Sequence, residues 1–147
     1  MAKVAKADLE EVVSRVLAAL PKVSERPGRA ALITLSGELG AGKTTFVQTL
    51  ARALNVSETV VSPTYVLMKS YDLTNQQFRK LVHIDAYRLA SAQEFAALEP
   101  ASFLLDEDAL VCIEWPERIE GALPKPDAAL RLSSEAAEAE ERYIEGI

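Results

Sequence analysis

Residues 37–44 read Gly37-Glu38-Leu39-Gly40-Ala41-Gly42-Lys43-Thr44 and match the pattern G-x-x-x-x-G-K-[ST] at every fixed position. The apolar run before this segment, Ala30 to Ser36, is typical of a strand that is buried on both faces. Residues 43–54 after it carry apolar side chains at helical spacing. A strand, a glycine-rich turn and a helix in this order predict a loop that binds phosphate groups.

Each residue type in this segment suits one part of phosphate binding. The three glycines allow a tight turn in which successive backbone N–H groups point inward. The helix that follows adds the positive end of its dipole beneath the same anion. We expect Lys43 to bridge the β- and γ-phosphates and the Thr44 hydroxyl to complete the shell of a magnesium ion. The stretch from Gly37 to Thr45 therefore predicts a site for a nucleoside triphosphate with Mg²⁺.

The rest of the chain alternates helical and strand patterns. Helices are predicted at residues 8–20, 43–54, 93–98 and 100–106, and strands at 30–36, 109–114 and 128–133. A hairpin is predicted from residues 65–73 and 80–85, with its turn at 74–77. These elements predict a P-loop NTPase-like α/β fold, a three-layer sandwich in which helices flank a mixed β-sheet. We expect a single domain over residues 1–147, with a looser acidic tail from about residue 134.

The composition excludes several classes of protein. Of the 147 residues, 49% are hydrophobic and 26% charged, which is typical of a globular domain and not of a disordered chain. The only cysteine, Cys112, cannot form an internal disulfide, and no apolar run approaches the roughly 20 residues that span a bilayer. The N-terminal segment carries acidic residues within its apolar pattern, unlike a signal peptide. We therefore expect a soluble, cytoplasmic domain that does not contact a membrane.

The charge balance bears on nucleic-acid binding. The chain has 16 basic and 22 acidic side chains, which gives a net charge of −6. Proteins that bind nucleic acid on their own usually present a basic excess to the phosphates. If the chain serves RNA or DNA, we expect it to do so through a partner.

Two carboxylates end predicted strands and are candidates for chemistry at a bound nucleotide. Glu114 ends the strand at 109–114, where a second magnesium ligand would lie, although it could also be a solvated acid at a strand end. Asp85 ends the strand at 80–85 and could orient or deprotonate a water for in-line attack. It could equally cap the next segment or pair with Arg88. The residues alone leave these alternatives open.

Three further residues near these segments have both a functional and a structural interpretation. Trp115 directly follows the second carboxylate and could shield the nucleotide or pack in the core. Thr64 could be a switch hydroxyl that senses the γ-phosphate or belong to a turn. Alternation along the strand places His83 on the same face as Asp85. A lone histidine of this kind is more often packed and hydrogen-bonded than catalytic.

Four motifs together resemble the TsaE family of small bacterial P-loop ATPases. They are GELGAGKTTF at 37–46, VSPTY at 61–65, HIDAYRL at 83–89 and IEWPER at 113–118, in the family's order. The resemblance covers about residues 8–133 and does not include the acidic tail. It implies an ATPase that acts with two partner proteins, TsaB and TsaD, in forming threonylcarbamoyladenosine in tRNAs that read ANN codons. The tRNA would be reached only through that complex.

The resemblance also implies roles for single residues. Lys43 and Asp85 would be the catalytic residues, Thr44 and Glu114 would hold magnesium, and Thr64 and Trp115 would lie beside the nucleotide. Hydrolysis would be slow in the isolated chain and stimulated by the partners. The preference for ATP over GTP is implied by the resemblance alone. Glu38 stands where the family more commonly has aspartate, at a loop position whose backbone does the binding.

Two other functions are compatible with a phosphate-binding loop. A small-molecule kinase would need a lid with several arginines, and no segment between Arg88 and Ala109 is long enough to form one. A module in which the nucleotide acts only as an assembly switch would carry the same two carboxylates for magnesium. Phosphate transfer to a metabolite would identify the kinase, and mutation of Asp85 would distinguish the switch from the ATPase.

Overall fold

The computed structural model describes residues 2–56, 58, 60, 67–74, 77–134 and 141–146. Within these residues seven strands form one sheet: β1 (Ala2–Ala5), β2 (Ala31–Ser36), β3 (Met68–Asp72), β4 (Lys80–Asp85), β5 (Ala109–Glu114), β6 (Ala128–Ser133) and β7 (Glu141–Glu145). The helices are α1 (Leu9–Ala19), α2 (Lys43–Ala53), α3 (Ala92–Ala96) and α4 (Ala101–Leu104). Short 3-10 turns lie at Lys6–Asp8, Val23–Glu25 and Pro116–Ile119.

The sheet is mixed and has the strand order β1-β7-β6-β2-β5-β4-β3. In its centre β2 runs parallel to both β5 and β6, and β4 runs parallel to β5. Towards the two edges β3 pairs antiparallel with β4, and β7 pairs antiparallel with β6 and β1. The carboxyl ends of β2, β4 and β5 therefore lie side by side, and ligands of such sheets usually bind at the carboxyl ends of the strands.

Helices cover both faces of the sheet, because side chains of a strand alternate between its faces. Ile33 and Leu35 of β2 pack in one apolar cluster with α1 and α2, whereas Leu32 packs in a second cluster with Phe95 of α3 and Phe103 of α4. Burying each such side chain stabilises the fold by about 1.5–3 kcal/mol. The predicted three-layer sandwich with a mixed sheet is confirmed.

The elements nearest the glycine-rich segment lie where the sequence predicts them. The strand predicted at 30–36 is β2, and the helix predicted at 43–54 is α2. The apolar face predicted for that helix is buried, with its members Phe46, Val47, Leu50, Ala51 and Leu54 in one cluster. The predicted hairpin is the antiparallel pair β3–β4, although residues 65, 66, 75 and 76 of that prediction lie outside the described residues.

Two strands have no counterpart in the sequence prediction. The acidic tail predicted from about residue 134 contains β7, whose Ile144 is buried. The N-terminal residues form β1, which pairs with β7 over four residues. Each strand is short, and the two pair with each other from opposite ends of the chain, so local patterning does not identify them. No helix in the described part of the chain is long and apolar enough to cross a membrane.

Candidate functional site

The glycine-rich loop, residues 37–42, connects β2 to α2 through backbone conformations that favour glycine. Gly37 has a φ of +139°, and a Cβ there would lie 2.1 Å from the carbonyl oxygen of Leu132 in β6. Gly42 has a φ of +101° and directly precedes the first residue of α2. Glycine therefore lets the loop turn back tightly over the N-terminus of α2, as the sequence predicts.

The Lys43 side chain lies inside this loop. Its ammonium Nζ donates hydrogen bonds to the carbonyl oxygens of Gly37, at 2.5 Å, and Glu38, at 2.8 Å. The same atom lies 4.3 Å from the centroid of the Trp115 ring. Burial lowers the pKa of Lys43, although nearby carboxylates, Glu114 foremost, act in the opposite direction. The cation and the indole predicted for the site are thus in contact with each other.

Thr44 and Glu114, the two residues predicted to hold magnesium, are brought together from different elements. The Thr44 Oγ1 donates to Glu114 Oε1 at 3.2 Å and lies 3.4 Å from Oε2. Glu114 ends β5 and is only 2% exposed, which excludes the alternative of a solvated acid. The two residues meet because the helix after β2 begins at the carboxyl end of the neighbouring parallel strand.

This pair fits the preferences of magnesium. Mg²⁺ takes hard oxygen ligands and is usually held by one or two protein groups, with water and substrate phosphates completing its octahedron. A hydroxyl and a carboxylate side by side are such a donor set. Among the described residues no cluster of three or more His, Cys, Asp or Glu side chains could hold a metal by itself. The residues therefore suit an ion that arrives with a phosphate ligand.

His83 makes a contact that the sequence does not reveal. Its ring is fully buried, and Nε2 lies 2.5 Å from Glu114 Oε2. The expectation of a packed and hydrogen-bonded histidine is confirmed, but the identity of its partner depends on the register between β4 and β5. In that register His83 is opposite Cys112 and Asp85 is opposite Glu114.

Asp85 lies half-buried at the end of β4, beside the carboxyl end of β5. Its Oδ1 accepts a hydrogen bond from the backbone N–H of Tyr87 at 3.0 Å. The capping alternative is therefore present in the structure. The residue also lies at the same edge of the sheet as the glycine-rich loop and Glu114.

Aromatic side chains form one wall of the site. The rings of Tyr87 and Trp115 lie 4.9 Å apart, and the Arg118 guanidinium lies 5.2 Å above the tyrosine ring. Trp115 has a φ of +60°, which turns the chain sharply after β5. It is partly buried against the second apolar cluster. The packing interpretation of this tryptophan is therefore confirmed, and the shielding of a nucleotide stays a prediction.

The loop is also held by the residue that follows β6, through a contact that the sequence does not reveal. Glu38 Oε1 accepts hydrogen bonds from Ser134 N at 2.7 Å and Ser134 Oγ at 2.9 Å. The first of these bonds is the main cause that lowers the pKa of Glu38. The position expected to contribute only its backbone thus also uses its side chain. A glutamate in a loop gives no signal of such a partner 96 residues away.

The remaining predicted site residues vary in their surroundings. Ala41 is buried, Gly40 is exposed, and Leu39 at the tip of the loop is 66% exposed. Thr45 lies in the first turn of α2, and its carbonyl accepts from Thr49 Oγ1 at 2.9 Å. Thr64 lies outside the described residues. The structure therefore brings together the loop, Lys43, Thr44, Glu114 and Trp115, with Asp85 at the same edge.

Comparison with known proteins gives matches over most of the chain. The family model described as "Threonylcarbamoyl adenosine biosynthesis protein TsaE" matches residues 6–144. The match therefore extends beyond the residues 8–133 covered by the motif resemblance and includes most of the tail. The Borreliella burgdorferi protein named tRNA threonylcarbamoyladenosine biosynthesis protein TsaE is 39% identical over 94 residues, 64% of this chain and 66% of that protein.

Two further comparisons agree with that match. The Haemophilus influenzae protein of the same name is 32% identical over 104 residues, 71% of this chain and 63% of that protein. The chain thus spans just under two thirds of the length of each of these two relatives. The crystal structure of YdiB from Bacillus subtilis superimposes with a TM-score of 0.67 at 26% identity, covering 97% of this chain and 82% of that one.

Proposed function

Because the chain belongs to the TsaE family of tRNA threonylcarbamoyladenosine biosynthesis proteins, we propose that it is an ATP-binding subunit whose slow hydrolysis of ATP supports this tRNA modification. The observation that carries the proposal is the convergence of Thr44 and Glu114 beside a glycine-rich loop that encloses Lys43. Phosphoryl transfer needs a phosphate-binding loop, a positive charge and ligands for magnesium in one place.

In the proposed complex, Lys43, Thr44, Glu114 and Trp115 each have a role beside the phosphates. The Lys43 ammonium exchanges the carbonyl oxygens of Gly37 and Glu38 for phosphate oxygens, which are stronger acceptors because they are charged. Thr44 and Glu114 would hold a magnesium ion, which would supply positive charge against the charge that develops on the β- and γ-phosphates. The Trp115 ring covers the lysine and keeps water from that side.

Asp85 is the proposed catalytic carboxylate. It orients a water for in-line attack on the γ-phosphorus, so that the new P–O bond forms as the bond to the β–γ bridging oxygen breaks. The water's proton passes to the carboxylate or to the departing phosphate. The hydrogen bond from Tyr87 N to Oδ1 fixes the orientation of the Asp85 carboxylate at the end of β4.

We further propose that the chain acts with TsaB and TsaD and meets tRNA only through them, in the cytoplasm. The net charge of −6 supports an indirect contact, because a chain with this balance repels a phosphate backbone. The family membership supports the pathway, and the named partners are part of the proposal.

The first experiment measures ATP hydrolysis with magnesium, by the chain alone and with TsaB and TsaD. We expect slow turnover alone and strong stimulation by the pair. Asp85→Asn keeps the acceptor for Tyr87 N but removes the charge, so we expect ATP binding near that of the wild type and stimulated turnover lower by about 100-fold or more. Lys43→Ala is the contrasting variant, because it should weaken ATP binding itself.

A second candidate function is a nucleotide-dependent assembly switch without catalysis. The contact between Asp85 and Tyr87 N favours it, because capping gives this carboxylate a structural role that needs no reaction. Stimulated turnover that is unchanged in Asp85→Asn would remove this residue from catalysis. Tight ATP binding and a formed complex without any stimulation would favour the switch.

A further inference from the structure

A buried contact beneath the glycine-rich loop has no role in the function proposed above. His83 in β4 is 0% exposed, and its Nε2 lies 2.5 Å from Glu114 Oε2. The two residues are offset along neighbouring parallel strands, since the residue directly opposite His83 is Cys112. The imidazole therefore points along the sheet towards the carboxyl end of β5, where Glu114 meets Thr44.

The chemistry of the two groups sets the direction of this hydrogen bond. A carboxylate that holds magnesium is ionised and can only accept, so in that state the imidazole donates through Nε2. Glu114 also accepts from Thr44 Oγ1 at 3.2 Å. The carboxylate is thus held from two sides, by β4 through His83 and by the first turn of α2 through Thr44.

Packing alone does not account for a histidine at this position. Its other nitrogen, Nδ1, is buried and has no hydrogen-bond partner among the described residues. Leu81 and Cys112, on the same side of the sheet, belong to the apolar cluster that packs with α1 and α2. An unpaired polar atom in such surroundings costs free energy that an apolar side chain would not. Among the described residues, the contact with Glu114 is the one interaction of His83 that requires a donor.

We propose that His83 is a positioning residue for magnesium, which fixes the orientation of the Glu114 carboxylate towards Thr44 and the ion. The inference rests on the proposed function, since it assumes that these two residues hold Mg²⁺. Magnesium demands near-ideal octahedral geometry, so a carboxylate that can rotate is a poorer ligand. Loss of a group that hydrogen-bonds a metal ligand typically costs about 10–100-fold in metal affinity or activity.

Two amide variants separate positioning from packing. The terminal nitrogen of His83→Gln can reach the place of Nε2 and donate to Glu114, whereas the shorter His83→Asn cannot. The dissociation constant of a non-hydrolysable ATP analogue is measured by calorimetry, once with excess Mg²⁺ and once with EDTA. We expect His83→Asn to weaken binding by about tenfold or more with Mg²⁺ and to leave binding in EDTA unchanged. His83→Gln should stay close to the wild type in both conditions.

Controls address folding and volume. Val82→Ala removes buried atoms from the adjacent position, whose side chain lies on the other face of β4, and should not change the magnesium dependence. His83→Leu fills much of the same space without a donor and should behave like His83→Asn. Thermal unfolding shows whether each variant folds. If His83→Asn does not fold, His83→Leu takes its place in the comparison with His83→Gln and the wild type.

The outcomes distinguish this inference from the proposed function. A wild-type chain that binds the analogue neither with Mg²⁺ nor with EDTA would overturn the proposed function and the inference with it. Two results would overturn the inference alone, provided that the wild type binds the analogue more tightly with Mg²⁺ than in EDTA. In the first, His83→Asn and His83→Leu bind as the wild type does in both conditions. In the second, they weaken binding by the same factor with Mg²⁺ and in EDTA. In either case His83 would have only a structural role.

Discussion

At the scale of single residues, Gly37 shows how the close approach of two backbones defines the start of the loop. Its Cα faces the carbonyl of Leu132, so that a Cβ would lie 2.1 Å from that oxygen. The obstacle is backbone in the middle of the sheet, which cannot move aside as a flexible side chain can. Both the sharp turn and the contact with β6 therefore depend on the missing Cβ.

We predict that Gly37→Ala lowers the free energy of unfolding by more than the about 1–2 kcal/mol that a left-handed helical conformation costs an ordinary residue, because the added Cβ would also meet Leu132. The matched control is Gly28→Ala, because Gly28 has a φ of +73° but no heavy atom within 4 Å of a Cβ. Urea unfolding of both variants measures the difference. Equal losses in the two variants would mean that β6 moves away without cost.

At the scale of elements, Asp127, which directly precedes β6, links that strand to β2 and to the segment before β2. The Arg29 guanidinium donates to both of its carboxylate oxygens at 2.9 Å, and Leu32 N donates to Oδ2 at 2.8 Å. Burial alone would raise the pKa of Asp127, but these hydrogen bonds and the arginine charge hold it below its ordinary value. The ionised form is thus favoured by folding.

This shift in pKa gives a pH dependence of definite sign. A carboxylate with a lowered pKa in the folded state contributes its stability above the unfolded pKa of about 3.9. That contribution is lost as the pH falls through the folded value. We predict that Asp127→Asn costs about 1–2 kcal/mol at pH 7 and that the gap to the wild type narrows below about pH 4. Unfolding of both proteins between pH 7 and pH 3 tests this, and a constant gap would contradict it.

The elements that sequence analysis predicts well are those with a local cause. Residues close together in the sequence are enough to determine these elements. They are the buried run of β2, the turn at Gly42 and the apolar face of α2. Short β1 and β7 have no such pattern, because β1 exists through its pairing with β7 at the other end of the chain and β7 lies between β1 and β6. The acidic run that leads into β7, Glu135 to Glu141, makes the whole segment look like a solvated tail in the sequence.

The same distinction applies to the site. The meeting of Thr44 and Glu114 follows from two strands that end at one edge of a parallel sheet, so it could be predicted from the sequence. The contacts of Glu114 with His83 and of Glu38 with Ser134 could not, because they depend on strand register and on side-chain rotamers. The sequence pattern thus predicts the residues proposed to bind the ligand, such as Thr44 and Glu114. It does not predict the residues that hydrogen-bond to the site from behind, such as His83 and Ser134.

At the scale of the whole molecule, the site and the chain termini occupy different parts of one sheet. The glycine-rich loop, Asp85 and Glu114 lie at the carboxyl ends of the central parallel strands. The strands β1 and β7 extend the sheet on the far side of β6. β7 lies between β6 and β1 and pairs antiparallel with both. Its Ile144 is 1% exposed and belongs to the apolar cluster beneath α1 and α2. The C-terminal strand therefore completes the core and holds the N-terminal strand.

We predict that deleting the chain after Ser134 destabilises the fold and releases β1. The deletion keeps Ser134, which bonds Glu38, so the glycine-rich loop retains that support. It removes Ile144 from the core, a loss that costs about 2–5 kcal/mol even when only the side chain is truncated. It also removes the strand with which Ala2–Ala5 pairs. Amide hydrogen exchange should accordingly become fast in Ala2–Ala5 while β2, β4 and β5 stay protected.

Two point variants on β7 separate the core contact from the pairing. Ile144→Ala should lower the free energy of unfolding by about 2–5 kcal/mol, whereas Glu145→Ala on the same strand, where the side chain is exposed, should change it by no more than about 0.5 kcal/mol. The deletion should exceed Ile144→Ala, because it also breaks the hydrogen bonds to β6 and β1. Protection of Ala2–Ala5 that survives the deletion would contradict this view, since β1 would then need a support other than the strand beside it.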